Sequence, residues 1–288
     1  MTNRPPIFAM FVLAAALANA CDASAEEKLL PIPDRLIVLT FDDGNKTDLT
    51  YAAPLLKRYG FGATFFITEG LGVPKDPKTF LTWKEVRKLH DAGFEIGNHT
   101  RSHPNVTRLS KEKLRAELEH IEKRCKEHGI PRPVTFCYPG WSHNRSAVEV
   151  LSEKGFQFAR RGCGPELPEE KKGGLIYDPT EDHPLLVPTA GSSGPNWSFD
   201  DLVRVVERAK DGKISVLTFH GVPSTLHPWV STSREDFARY MKYLKDQDCT
   251  VIALRDLAKY VDPTKRPDDP YAPIKKRIEE KPKSSREQ

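Results

Sequence analysis

Short apolar runs that alternate with helical patterns constrain the fold of this chain more than any other feature. The first run is Leu36–Phe41, which ends in Asp-Asp-Gly. Six similar runs follow along the chain: Ala63–Ile67, Phe94–Ile96, Val134–Tyr138, Phe156–Ala159, Ile214–Phe219 and Thr250–Ala253. Runs that are apolar through the middle and polar at the ends are typical of strands that are buried on both faces.

Helical patterns fill the intervals between these runs. Within Lys111–His128, apolar residues recur at helical spacing: Leu114, Leu118, Ile121 and Cys125. The remaining positions of this segment are mostly charged, as on a helix with one buried face. Trp83–Ala92 and Ser233–Lys245 have similar patterns. Repeated β–α units predict an α/β fold with a mostly parallel sheet, either a barrel or an open doubly wound sheet.

The first residues have the pattern of a secretory signal peptide. Arg4 precedes the apolar run Ile7–Leu17, and small residues follow up to Ala25. We therefore expect residues 1–25 to be a signal peptide and the protein to be exported, either to the periplasm or as a secreted protein. The run is short for a membrane span, which needs about 20 apolar residues. Acylation of Cys21 and attachment to a membrane is an alternative, which the residues before Cys21 support weakly.

The rest of the chain divides into a lead-in, one domain and a tail. Residues 26–35 form the lead-in, and residues 36–261 form the predicted domain. Within it, Gly162–Gly194 is rich in Pro, Gly and charge, which predicts long loops around a short strand at Leu185–Val187. Residues 262–288 combine Pro with many charges and few apolar residues, so we expect a disordered tail.

Composition excludes some classes of protein but does not decide whether the cysteines form disulfides. Hydrophobic residues make up 38% of the chain and charged residues 29%, which is typical of a globular protein. The net charge of +4 comes with no motif for DNA or RNA, so we expect no nucleic-acid partner. Four cysteines would remain after cleavage at Ala25: Cys125, Cys137, Cys163 and Cys249. They allow three disulfide pairings, and buried free thiols are an equally good interpretation.

Two adjacent acidic residues follow the first predicted strand. Asp42 and Asp43 lie in Thr40–Gly44, at the end of a strand where α/β folds collect functional side chains. Two neighbouring carboxylates repel each other unless a cation lies beside them. Asp-Asp-Gly is also common in turns, so this motif alone does not distinguish a site from a turn.

A pair of histidines follows the third predicted strand. His99 and His103 are four residues apart, so they lie on one face of a helical turn and can bind one metal together. Pro104 disfavours a longer helix and favours a specialised turn. Two imidazoles and one carboxylate from the first motif leave coordination positions open for water and substrate, as a catalytic zinc site requires. The second carboxylate of that motif is then available as a base.

These motifs resemble those of the polysaccharide deacetylase family, also called the NodB-homology domain or carbohydrate esterase family 4. TFDDG at Thr40–Gly44 corresponds to the first motif of the family, and H-T-x-S-H at His99–His103 corresponds to the second. Leu217–His220 corresponds to a later Leu-x-x-His motif. The resemblance extends from about Leu36 to about Tyr260.

The resemblance implies a fold and a metal centre. The fold would be a deformed (β/α) barrel of about seven strands, with the metal at its mouth and a single domain. Asp43, His99 and His103 would bind a divalent metal, most commonly zinc, with cobalt or nickel as alternatives. Asp42 would be the catalytic base, and His220 would be the acid that protonates the departing amine.

The resemblance implies that the third motif of the family, here Phe136–Gly140, contacts the substrate. A backbone N–H near Tyr138 would hold the oxyanion, and we predict substrate contacts for Tyr138, Pro139 and Trp141. Family members often have an arginine in this motif that contacts the base, whereas Phe136–Gly140 has none and resembles an F-A-Y-P variant. Another cation would have to replace that arginine beside Asp42.

An acidic residue that orients the histidine acid is the fourth motif of the family, and the sequence does not identify it. Asp178 and Asp182 are candidates, whereas Asp200 and Asp201 fit the start of a helix better.

The leading hypothesis is a metal-dependent hydrolase that removes N-acetyl groups from an extracytoplasmic polysaccharide of amino sugars, such as chitin, peptidoglycan or poly-N-acetylglucosamine. An O-acetyl esterase acting on xylan, a small-molecule amidase and a non-catalytic glycan-binding domain are the alternatives. The loops around the metal would decide the polymer.

Overall fold

The computed structural model describes residues 1–2, 28–167 and 174–280 as one α/β domain. Its strands are β1 (Leu36–Phe41), β2 (Thr64–Ile67), β3 (Glu95–Asn98), β4 (Thr135–Cys137), β5 (Phe158–Arg160), β6 (Gly191–Ser192), β7 (Ser215–Phe219) and β8 (Thr250–Ile252). Its helices are α1 (Ala53–Tyr59), α2 (Trp83–Asp91), α3 (Lys111–Glu127), α4 (Arg145–Glu153), α5 (Phe199–Glu207), α6 (Arg234–Asp246) and α7 (Ala272–Glu279). No helix among the described residues is long and apolar enough to span a membrane. The predicted signal peptide lies almost entirely outside the described residues.

The strands form one parallel sheet that curls into a barrel. Their order is β5-β4-β3-β2-β1-β7-β6, and β8 pairs with the first half of β1. Arg160 at the end of β5 forms a parallel bridge with Val187, and the chain continues from there into β6. This bridge brings the two ends of the sheet together. The structure therefore confirms the predicted deformed (β/α) barrel.

The centre of the barrel is packed with aromatic rings around β1. Phe41, the last residue of β1, stacks on Phe65 of β2 and Phe219 of β7, with ring centroids 4.9 and 5.4 Å apart. Phe237 of α6 meets the same ring edge to face at 5.8 Å. All six residues of β1 are buried, as its apolar sequence predicts. The residues that follow Phe41 are therefore fixed by a rigid core.

Two predictions for the region after β5 differ from the structure. The predicted strand at Leu185–Val187 is wrong, because Pro184–Leu186 forms a 3-10 turn and only Val187 bridges the sheet. Pro184 lacks an N–H for a strand ladder and instead begins this turn. Strand β6 lies in the stretch that was predicted as loops, and its two residues, Gly191 and Ser192, are too few to give a periodic pattern.

The prediction of a disordered tail is wrong for residues 262–280. Helix α7 packs Ile274 into the core, where 3% of its surface is exposed. Arg277 of the same helix pairs with Glu166 and Asp182. The charges of this segment suggested a solvated tail, but several of them pair with residues that are distant in the sequence. Residues 281–288 lie outside the described part of the chain.

The cysteines favour the buried-thiol interpretation. Cys125, Cys137 and Cys249 are free and buried, and burial raises the pKa of the Cys125 thiol to about 12. Cys163 is also buried.

Candidate active site

Side chains from three strand ends meet at one mouth of the barrel. Asp42 and Asp43 follow β1, His99 follows β3, and His220 follows β7. All of them line one cavity of about 320 Å³. Because the strands are parallel, their carboxyl ends lie at the same mouth, which is where sites occur in α/β barrels. The structure thus brings together the residues of the first, second and last sequence motifs.

Three of these side chains have the geometry of a metal site. The Nε2 atoms of His99 and His103 lie 3.5 and 3.8 Å from Asp43 Oδ1. Tetrahedral zinc, with bonds of about 2.0–2.2 Å to nitrogen and oxygen, places its ligand atoms roughly 3.3–3.6 Å apart. The three side chains therefore fit a divalent metal with only small adjustments.

The charge of Asp43 is preserved despite its burial. Burial by itself raises the pKa of this carboxyl, but the neighbouring imidazoles outweigh that effect and hold its pKa well below the ordinary value. Its backbone is left-handed, with φ of 76°, and Gly44 follows with φ of 69°. Left-handed backbone is rare for residues other than glycine, and such strain is common at functional sites.

The surroundings of the two histidines affect the orientation of His99 and the protonation state of His103. The Nδ1 atom of His99 lies 2.8 Å from the carbonyl oxygen of Cys137. This contact makes Nδ1 the hydrogen-bond donor, so Nε2 is the nitrogen that can give up its proton and bind a metal. Burial, followed by the nearby His99, lowers the pKa of His103 to about 4, which keeps this imidazole neutral near pH 7.

The H-T-x-S-H segment forms the specialised turn that its Pro104 predicts. Thr100 and His103 both have left-handed backbone, and the Thr100 hydroxyl accepts a hydrogen bond from the His103 N–H at 3.1 Å. The N–H and hydroxyl of Ser102 both donate to Glu117 of α3, at 2.7 and 2.8 Å. Helix α3 therefore anchors the turn that carries both imidazoles.

A buried arginine lies beside Asp42, where a cation is expected because the third motif has no arginine. The guanidinium of Arg160, at the end of β5, donates to Asp42 Oδ2, and neither side chain is more than 3% exposed. Burial alone would raise the pKa of Asp42, but Arg160, then His99 and His220, outweigh it and lower that pKa. Sequence reasoning missed Arg160, although a consecutive arginine pair at the end of an apolar strand was a usable signal.

His220 is buried next to the same carboxylate. Its Nε2 atom lies 3.9 Å from Asp42 Oδ2, and burial, opposed by the two aspartates, lowers its pKa. Its Nδ1 atom has no hydrogen-bond partner among the described residues.

The four aspartates considered as partners of His220 have other contacts or positions. Asp178 accepts from Thr180, and Asp182 pairs with Arg277. Asp200 and Asp201 lie in the first turn of α5, as predicted.

Of the three residues of the third motif that were predicted to contact substrate, Tyr138 and Trp141 line the cavity and Pro139 does not. Tyr138 has a fully buried ring, its hydroxyl donates to the Leu185 carbonyl, and its N–H donates to Arg160 O at 3.0 Å. That amide is therefore engaged within the barrel, and an oxyanion donor near Tyr138 stays a prediction. Pro139 is buried in a 3-10 turn, outside the lining of the cavity, so the structure does not support its predicted substrate contact. Gly140 and Trp141 line the cavity beside Tyr138.

The loop between β7 and α6 supplies residues that sequence reasoning did not assign. His227 Nδ1 lies 3.8 Å from Asp43 Oδ2. Trp229 is 68% exposed and lines both the site and a neighbouring cavity of about 200 Å³ beside Trp197. Neither residue belongs to a recognisable motif, and their only signal was a position shortly after His220.

Comparisons with known proteins agree with this geometry. Residues 31–159 match the family model described as polysaccharide deacetylase. A peptidoglycan-N-acetylglucosamine deacetylase from Bacillus cereus is 34% identical over 131 residues, which cover 44% of this chain and 57% of the relative. The peptidoglycan-N-acetylmuramic acid deacetylase PdaC from Bacillus subtilis is 40% identical over 197 residues, which cover 68% of this chain and 38% of the relative. The chain thus spans 57% and 38% of the lengths of these two curated relatives.

A solved structure shares the fold. The family 4 carbohydrate esterase from Streptomyces lividans aligns with a TM-score of 0.51 at 21% identity, covering 75% of this chain and 91% of that one. The residues matched by the family model include Asp42, Asp43, His99 and His103. The family model and the two relatives thus agree on a polysaccharide deacetylase match for this part of the chain, and the solved structure agrees with the fold.

Proposed function

We propose that this chain is an exported, metal-dependent hydrolase that removes N-acetyl groups from a polysaccharide of amino sugars. One observation carries the proposal: the ligand atoms of Asp43, His99 and His103 converge in a cavity that Asp42 and His220 also line. A metal site with a carboxylate and an imidazole beside it suits hydrolysis of an amide. The names of the two relatives, both peptidoglycan deacetylases, support peptidoglycan as the first polymer to test.

Each residue of the site has a separate role in the proposed reaction. A divalent metal such as zinc, held by the three ligands, would polarise the acyl oxygen and lower the pKa of a water molecule. Arg160 holds Oδ2 of Asp42, and Oδ1 is buried without a hydrogen-bond partner among the described residues, so Oδ1 is available to take the proton of the water. His220 donates a proton to the amide nitrogen as the carbon–nitrogen bond breaks. Acetate and a free amine result.

The surroundings of the cavity suit a sugar polymer. Trp141 and Trp229 line it, and the exposed ring of Trp229 continues into the neighbouring cavity. Aromatic side chains combine a flat apolar face with a polar edge, which suits a ring that is itself amphipathic. Export rests on the signal pattern of residues 1–25, and finding the processed chain outside the cytoplasm would test it.

Acetate release tests the proposal. The purified protein is incubated with peptidoglycan, chitin oligomers, poly-N-acetylglucosamine and acetyl-xylan, with and without a chelator. We expect acetate from an amino-sugar polymer, its loss with chelator and its recovery on adding zinc. Acetate from acetyl-xylan alone would favour an O-acetyl esterase. Absence of acetate from every substrate, in protein with stoichiometric metal, would favour a glycan-binding domain and contradict the proposal.

The role of Asp42 gives a sharper prediction. Asp42→Asn removes the base but none of the three metal ligands, so we expect normal metal content and a loss of turnover of about 10³-fold. Metal analysis and acetate release measure the two effects. Asp200→Asn, at the exposed start of α5, is the matched control and should retain activity. A fully active Asp42→Asn protein would remove Asp42 from the role of base.

A further inference from the structure

A fully buried arginine whose guanidinium reaches into the site has a role that no sequence motif assigns. We infer that Arg160 is the positioning residue for Asp42: by binding one carboxylate oxygen, it fixes the direction of the other. This inference rests on the proposed function, because it assumes that Asp42 acts as the base. Arg160 would not itself touch the substrate.

The contacts of Asp42 are unequal on its two oxygens. Oδ2 accepts a hydrogen bond from Arg160 and lies 3.6 Å from the Cys137 thiol. Oδ1 is buried without a hydrogen-bond partner among the described residues. The side chain is therefore fixed through Oδ2 alone, and removal of Arg160 would leave its rotation poorly restrained.

Arg160 is itself held in place. It is the last residue of β5, and its Nη1 donates to the Thr189 hydroxyl at 3.2 Å. Its guanidinium lies over the ring of Phe66, 5.8 Å from the ring centroid. Ordering a long side chain normally costs conformational entropy. Because these contacts form when the chain folds, the side chain has already lost that entropy, and the guanidinium is in position before substrate binds.

The neighbouring strand offers a second position from which a guanidinium could reach the same oxygen. Cys137 of β4 is the register partner of Arg160 of β5, and adjacent strands lie about 4.8 Å apart. The Arg160 guanidinium donates a hydrogen bond to Asp42 Oδ2, and the Cys137 thiol lies 3.6 Å from the same oxygen. Exchanging the two residues would therefore move the guanidinium by one strand while conserving the side-chain volume of the core.

Four variants of the protein test the inference. Arg160→Met should lower kcat about 100-fold, the effect of misplacing a catalytic group by about 1 Å, with KM and metal content unchanged. Arg160→Lys, which keeps a charge and a donor, should recover part of that loss. The exchange variant, Arg160→Cys with Cys137→Arg, should be at least about tenfold more active than Arg160→Cys alone, because the carboxylate regains its partner.

The matched control is the adjacent buried arginine. Arg161 is equally buried but pairs with Glu166 instead of Asp42. Arg161→Met should lower thermal stability while kcat of the folded protein stays within about threefold of wild type, because no contact to the base is lost. If Arg160→Met behaves in the same way, the role of Arg160 is structural and the inference is wrong. An exchange variant with full metal content and no recovery would also overturn it.

A crystal structure of Arg160→Met separates this inference from the proposed function. We expect the Asp42 carboxylate to rotate away from its wild-type orientation while Asp43, His99 and His103 stay in place. An unchanged carboxylate would overturn the inference even if the wild-type protein proves to be an active deacetylase. Absence of acetate release by the wild type would contradict the proposed function and leave the structural result to decide the positioning role.

Discussion

The two sides of the site differ in how they are built. One side, the strand-end group, consists of Asp42, Asp43, His99, His103 and His220, which directly follow buried strands or the turn after one. The other side, the loop group, consists of Trp141, His227 and Trp229, which lie on connecting segments. His99 is 2% exposed and Trp229 is 68% exposed. Chemistry that needs fixed distances is thus placed on rigid strand ends, and substrate contacts are placed where the chain can vary.

The two groups meet at one residue. Asp43 directs Oδ1 toward the histidines of the strand-end group and Oδ2 toward His227 of the loop group. Changes in the strand-end group should therefore remove the metal and the chemistry together. Changes in the loop group should affect polymer binding while leaving the metal bound.

The largest expected effect comes from His99→Ala. This change removes a metal ligand whose orientation is fixed by the carbonyl of Cys137. Residues that only orient a ligand contribute about 10- to 100-fold to metal affinity, so loss of the ligand itself should exceed about 100-fold and abolish acetate release. Competition with a chromogenic chelator measures the affinity. His90→Ala, outside the site, should bind metal normally. Unchanged affinity in His99→Ala would mean that the metal binds elsewhere.

The strand-end group was largely predictable from the sequence, for a physical reason. An apolar strand leaves a strong local pattern, and the residue after its end is placed by that strand. Asp43 and His220 could therefore be placed at the barrel mouth from the runs that precede them. β1 has the same bounds in the sequence analysis and in the structure.

Contacts between distant segments were not predictable in this way. The position of Arg160 at a strand end was visible in the sequence, but its contact with Asp42, which lies 118 positions away, is not encoded by any local pattern. The same limitation explains α7, whose charged residues are paired with side chains from other loops. Trp229 and His227 lie in a loop whose path depends on the packing beneath it.

A smaller effect is expected from Trp229→Ala. The change removes the exposed ring shared by the two cavities but no residue of the strand-end group. We expect KM for the polymer to rise about fivefold, since partial burial of an aromatic ring is worth roughly 1 kcal/mol. Metal content and kcat should be unchanged. Steady-state kinetics on polymer and on a short oligomer would separate the two quantities.

The matched control for Trp229→Ala is Leu226→Ala, an exposed apolar residue of the same loop that is 50% exposed and outside the cavity lining. It should leave KM unchanged. A fall in kcat with unchanged KM in Trp229→Ala would mean that the loop group takes part in the chemistry, and the division between the two groups would not hold.

The smallest expected effect comes from His227, the member of the loop group that lies beside Asp43. The Asp43 carboxylate beside it raises the pKa of His227, so the folded chain favours the imidazolium. This stabilisation is fully present below the ordinary histidine pKa of about 6.5 and is lost as pH rises through the raised value. In metal-free protein, His227→Gln should therefore lower the free energy of unfolding by less than about 1 kcal/mol near pH 5.5 and by still less near pH 9. Urea unfolding with chelator measures both values, and an equal loss at the two pH values would show that the groups are electrostatically independent.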